Sequence, residues 1–137
     1  MSYAPAILQG PVIKTVTFSN DTGTISLFTV AGDVSCRILP VCKTNVASAA
    51  NANVSLGTSS DADAIIVNTV ATELDANDLW IDRSPTSVIE PEGARRDYII
   101  SGGDDIILTL DAQVDSGAIT FYCYWSALST GASVVAA

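Results

Sequence analysis

The sequence predicts an all-β protein built as two antiparallel sheets packed face to face, and three observations predict it. Short runs rich in Val, Ile, Thr, Phe and Tyr recur along the 137 residues, separated at fairly regular intervals by Gly, Asn and Asp turns. Within several runs apolar and polar side chains alternate, the period of a strand buried on one face. At most one short segment carries a helical period, too little for the crossovers of a parallel sheet.

Taken in order, the first eleven residues contain Pro5 and Pro11 and no sustained pattern. They read as an extended N-terminal arm, residues 1–11, ahead of a single sandwich domain, residues 12–137. Tyr3, Ile7 and Leu8 are the side chains that could pin this arm to a partner. VIKTVTFS, from Val12, is β-branched and ends at the NDTG turn signal, Asn20 to Gly23. An AGD step at Ala31 to Asp33 divides the next block. After it Val34, Cys36 and Ile38 alternate with Ser35 and Arg37, and from Leu39 both faces become apolar. Pro40 cannot donate to a ladder, so an edge position or a bulge is expected there.

An Ala/Asn/Ser loop follows, then a short strand around Asn53 to Thr58. In SSDADAIIVNTVATEL the residues Ala62, Ile65, Ile66, Thr69 and Val70 match a helical face that Ser60 or Asp61 could cap. One or two helical turns after Ser60 are expected, then extended chain. DLWID sets Leu79 and Ile81 opposite Trp80, and DYIIS runs into Gly102 and Gly103. DDIILTLDA turns Ile106, Leu108, Leu110 and Ala112 inward, away from Ile107, Thr109 and Asp111. Finally ITFYCYWSALS places Ile119, Phe121, Cys123, Trp125 and Ala127 on one face and Tyr122 and Tyr124 on the other. The total is roughly seven to nine short strands, a spacing that favours a jelly-roll-like sandwich with at most one short helix.

Composition narrows the function classes. The chain is 48% hydrophobic and only 15% charged, which excludes a solvated, disordered polymer and suggests surface buried between subunits. Its net charge is −9, and its six basic residues are spread along the sequence, a field that repels phosphate backbones and argues against nucleic acid. No stretch approaches the ~18 apolar residues of a membrane span. MSYAPAILQGP lacks a basic start followed by a long apolar core, so synthesis and folding in the cytosol are expected. The three cysteines, Cys36, Cys42 and Cys123, read as small buried hydrophobes.

The absence of histidine removes the commonest general base and most zinc sites, so no catalytic residue and no metal ligand is assigned. Asp61 with Asp63 and Asp104 with Asp105 are the carboxylate pairs, and each sits in a turn where acids are expected anyway. DADA and ELDAND do not fit a calcium loop, and SGGDD lacks the lysine and helix of a phosphate loop. No cofactor is expected. The aromatics remain: Trp80, Tyr98, Tyr122, Tyr124 and Trp125. Outward Tyr122 and Tyr124 suit a subunit contact, a surface under the chain's own loops or arm, or, with Trp80, a sugar platform.

Two blocks, SLFTVAGDVSCRILPVCK onward to DLWID and RDYIISGGDDIILTLDAQVDSGAITFYCYWSALS, resemble small virion structural proteins of tailed bacteriophages. Some of these are jelly-roll proteins that decorate the capsid exterior. The resemblance implies a cement protein on the virion surface, made in the host cytoplasm, often trimeric, partnered by copies of itself and by the major capsid protein. It implies no catalytic residues. Head fibres, tail parts and host-binding modules share the style, so the place on the virion stays open. On the chain's own pattern, the residues expected at subunit or capsid contacts are Tyr3, Ile7, Leu8, Tyr122 and Tyr124.

Overall fold

The computed structural model describes residues 9–87, 89 and 96–137, and these form two antiparallel sheets. In the first sheet the order is β1 (Gln9–Thr17), β10 (Ser116–Ala127), β3 (Val34–Ala47), β6 (Asp78–Leu79) and β7 (Thr86–Ser87), with β8 (Tyr98–Ile100) pairing with the start of β3. In the second it is β11 (Ser133–Ala136), β2 (Asp21–Ala31), β9 (Ile106–Val114), β4 (Asn53–Thr58) and β5 (Ile66–Val70). The pairs β1–β10, β2–β9, β3–β8 and β4–β5 nest inside one another. The chain is thus a long hairpin that closes between β4 and β5 and rolls into two layers, joined laterally by β3–β10 and β4–β9. That connectivity is the jelly roll the strand spacing predicted.

Alternation decides which side chains fill the space between the layers. On β3, Val34, Cys36, Ile38 and Cys42 are buried, and on β10, Ile119, Phe121 and Cys123 are fully buried. The inward series on β10 fades at its end: Trp125 is half-buried and Ala127 is exposed. Leu27, Phe28, Leu56, Ile106, Leu108 and Leu110 face them from the second sheet. Removing this much apolar surface from water is the main force holding the layers together, at about 25 cal/mol per Å². Trp80 completes the core and joins both layers. Its backbone N–H donates to the Pro40 carbonyl at 3.0 Å, and its indole N–H donates to Thr69 Oγ1 of β5 at 2.9 Å. The ring meets Phe121 edge-on at 6.4 Å.

Three local expectations change. Strand β1 begins at Gln9, so the last three residues expected in the arm run beside β10 instead. Strand β3 is interior, and its register with β10 passes unbroken through Pro40↔Phe121. Pro40 is tolerated because backbone N and O of a strand residue point to the same side. Its carbonyl faces Trp80, so the missing N–H falls in the opening between β8, which pairs up to Cys36, and β6, which pairs at Val41. The segment after Ser60 forms turns rather than helix. Thr58 N–H donates to the Asp61 carbonyl and Ile65 N–H to the Leu56 carbonyl, folding the loop back on β4, and β-branched Ile66 and Val67 then continue as strand. Among the described residues the only helical turn is 3₁₀, at Ala71–Glu73.

This returning loop covers the outer side of the second sheet. A Cβ on Gly57 would collide with backbone atoms of Asp61 and Ala62, and Ile107, paired with Gly57, is buried although it points away from the core. Beside it the Thr109 hydroxyl is buried with no hydrogen-bond partner among the described residues. Opposite mutational outcomes are expected on this one face. Gly57→Ala forces a backbone shift and lowers stability by about 1–3 kcal/mol. Thr109→Val removes an unsatisfied buried donor at equal shape and leaves stability unchanged or higher. Urea midpoints of the two variants check both; a Gly57→Ala midpoint equal to wild type, or a clearly lowered Thr109→Val midpoint, contradicts this account.

Candidate functional site

The outward side chains of the first sheet are unusually apolar. Strand pairing aligns Ile13, Tyr122 and Leu39 in one row across β1, β10 and β3, and Val41 pairs with Leu79 on β6. Ile13 is 50% exposed, and Tyr122, Tyr124, Leu39 and Val41 are partly open to solvent. Leu39, Pro40, Val41, Leu79, Ile81, Tyr122 and Tyr124 line a shallow depression of about 350 Å³. The cause is local. β10 and β3 each carry apolar residues on both faces, and Leu79 and Ile81 are turned outward because Trp80 between them is committed to the core.

Cations border this face. The Lys43 ammonium lies 5.8 Å from the centre of the Tyr122 ring, within reach of a cation–π attraction. Arg37, opposite Tyr124 in the ladder, donates through Nε and Nη2 to the two carboxylate oxygens of Asp97, at 2.8 and 3.3 Å. A second depression of about 240 Å³ begins on the far side of Ile81 and is lined by Ile38, Ile65, Val67, Arg83, Arg96 and Tyr98, among others. Tyr98 donates its hydroxyl to the Ile65 carbonyl at 3.1 Å. Burial pushes its ionisation upward, and the nearby Arg96 charge opposes that only in part.

The Asp104 and Asp105 pair, with Asp111, serves the backbone. Asp105 accepts from Val30 N–H, Asp104 from Ser60 N–H and Asp111 from Asn53 N–H, while Asp61 and Asp63 are exposed. Hydrogen bonds from Asn53 hold the Asp111 carboxyl below its ordinary range. Among the described residues no group of three or more His, Cys, Asp or Glu is gathered closely enough to hold a metal ion. All three cysteines are buried free thiols. Burial pushes Cys42 up to about 11, and Cys123 is raised by its Cys36 neighbour and then by burial. Cys36 is shifted the other way, downward, by its hydrogen bond with Cys123, but it is fully buried in the core.

Tyr122 and Tyr124 therefore sit together on an open apolar face, as their spacing implied. Tyr3, Ile7 and Leu8 lie outside the described residues. Trp80 is withdrawn from the sugar-platform reading, because it is wholly buried with its N–H satisfied inside the protein. The cleft of Arg83, Arg96 and Tyr98 was not anticipated. It joins residues from separate parts of the chain, and only the outward Ile81 between two strand segments hinted at it.

Fold and face together define a jelly-roll sandwich whose most concentrated surface feature is an apolar, aromatic sheet face edged with cations. No protein-family model matches the chain, and no curated protein matches it. Among solved structures, it is similar to a chain in the acidic stable capsid structure of Helicobacter pylori bacteriophage KHP30. The TM-score is 0.53 at 11% identity, and the alignment covers 96% of this chain and 98% of that one. At this identity the likeness is one of fold, and it extends from end to end.

The bonded phenol of Tyr98 gives a pH prediction. Because the folded state disfavours its ionisation, the contribution of this group is fully present below the ordinary tyrosine value of about 10 and is lost as pH rises past it. Tyr98→Phe should delete from the ultraviolet titration one phenol that ionises above that value, and should flatten the alkaline decline in stability. Deletion of a phenol that ionises at or below about 10 contradicts the burial of this group.

Proposed function

We propose that this chain is a structural protein of a bacteriophage virion. In this reading it is a decoration or cement protein that binds the outside of the head as a homo-oligomer, a trimer in the simplest arrangement, and stabilises the shell. The observation that carries the reading is the end-to-end fold likeness to a chain of a phage capsid. The resemblance in the strand and turn blocks points the same way. Its partners would be other copies of itself and the major capsid protein, and its place the virion surface after synthesis in the host cytoplasm.

The surface chemistry is consistent with assembly. An interface of standard size takes ~800 Å² from each partner, roughly a ninth of the 6940 Å² that this chain exposes. The row of Ile13, Tyr122 and Leu39, with Tyr124 and Ile81 beside it, can supply the aromatic anchors that such contacts use. Residues 1–8, with Tyr3, Ile7 and Leu8, would extend from the start of β1 to a neighbouring copy or to the shell. A sugar-binding role retains only the two outward tyrosines, because Trp80 is internal.

Co-sedimentation with phage heads stripped of their minor surface proteins tests the reading. Saturable binding at a fixed copy number is expected, and a number divisible by three supports the trimer. Replacing two aromatic anchors should weaken binding at least tenfold in the Tyr122→Ala, Tyr124→Ala variant, the equivalent of about 1.4 kcal/mol. Removing residues 1–8 should also weaken it. A folded wild-type protein that does not bind intact heads overturns the proposal in favour of a tail or host-recognition role.

A further inference from the structure

The outer sides of the two sheets are finished differently. On the second sheet the loop after β4 returns over Gly57, and Ile107 beside it is buried. On the first sheet the described residues leave Leu39, Val41, Leu79, Ile81, Tyr122 and Tyr124 partly open to solvent around one depression, with Ile13 exposed next to them. A contiguous apolar patch of this kind is a place where something docks.

The chain supplies an occupant at the rim of this face. Strand β1 begins at Gln9, which pairs with Trp125, the neighbour of Tyr124 on β10. Residues 1–8 therefore join the fold beside the tyrosines. From the Gln9 pairing, Leu39 in the middle of the depression is two strand spacings across, ~10 Å, and three residues along the strands, ~10 Å. The diagonal is ~14 Å, whereas eight extended residues reach ~26 Å. Composition suits the face as well: MSYAPAIL has no charged side chain in a chain that is 15% charged, and Tyr3, Ile7 and Leu8 are large and apolar. A segment tethered at the rim acts at an effective concentration in the mM range, which a second copy in dilute solution does not match.

We infer that in the free chain residues 1–8 cross the outer face of their own first sheet and seat apolar side chains in the depression of Leu39, Leu79, Ile81 and the two tyrosines. Paired residues share a face, so Gln9 goes with inward Trp125, and alternation directs position 8 outward, to the side of Tyr124. Ile7 and Tyr3 then follow across the sheet toward β3 and β6. The arm is a strap over an association surface: it keeps that surface from water and from wrong partners until a better contact displaces it. On a phage head the displaced arm would reach the neighbour or the shell while the tyrosines are freed for contact. That release rests on the proposed function; the covered face of the free chain does not.

Paramagnetic broadening of methyl signals tests this on the full chain, without phage heads. A nitroxide is attached to the Ala4→Cys variant, and the three native thiols, being buried, escape the label. The methyl signals of Leu39, Val41, Leu79 and Ile81 should weaken at least twofold and recover when the nitroxide is reduced. Adding Ile7→Asp and Leu8→Asp should abolish the effect, because unpaired carboxylates do not enter an apolar depression. A mixture of nitroxide-labelled chain without isotope and isotope-labelled chain without nitroxide should show no broadening. Signals that stay sharp, broadening that survives the two Asp substitutions, or equal broadening in the mixture, which would mean the arm of a neighbour, overturns the inference. Heads are absent throughout, so failure to bind heads would overturn the capsid role alone.

Discussion

The position of Trp80 is the constraint on which the candidate surface depends. Strand β6 pairs with β3 at one residue and would have little hold on the sheet by itself. The indole anchors it from inside, edge-on to Phe121 of one layer and hydrogen-bonded to Thr69 of the other. A buried indole without a partner would lose about 1–3 kcal/mol to desolvation, so Thr69 matters as much as the ring's area. With Trp80 inward, strand geometry leaves Leu79 and Ile81 outward. Together they wall the depression beside the tyrosines and connect it to the arginine cleft. One core side chain thereby shapes the exterior.

Strand β10 meets the same requirement from the other side. Ile119, Phe121 and Cys123 fill the core, and the intervening Tyr122 and Tyr124 keep a polar tip on an apolar body. Such side chains tolerate contact with water better than a row of leucines would. The Lys43 ammonium near Tyr122 adds charge at that position without closing the depression. The second sheet is different in kind. Its outer side is covered by the chain itself at Gly57, with acids spent on backbone N–H groups at Asn53, Val30 and Ser60.

Strand existence and facing were legible where the period was strict. Val34 to Ile38, Ile106 to Leu110 and Ile119 to Cys123 all place the expected side chains inward. Tyr122 and Tyr124 were readable as an outward pair for the same reason. Three features were hidden by longer-range effects. The stretch after Ser60 has a helical period, but tight backbone pairing between Thr58 and Asp61 and the β-branched run that follows take precedence. Pro40 suggested an edge because the sequence does not show that β8 and β6 leave an opening along β3. The pairing of Arg83 with Arg96 in one cleft depends on the path between β6 and β8, on which local pattern is silent.

The nesting of the pairs has a consequence for the order of events on the ribosome. Thr17 pairs with Ala118 and Asp21 with Val114, so the earliest strands find their partners only when almost the whole chain has emerged. Among the described residues the local hairpins able to form early are β4 with β5, near the middle, and the very short β6 with β7. Closing the outer pairs means bringing distant segments together before their contacts contribute, which places folding at the slow, non-local end of the range. Until β10 arrives, β1 and the long edge of β3 that faces β10 stand unpaired. The interval before β10 is added is therefore the time of greatest exposure to aggregation.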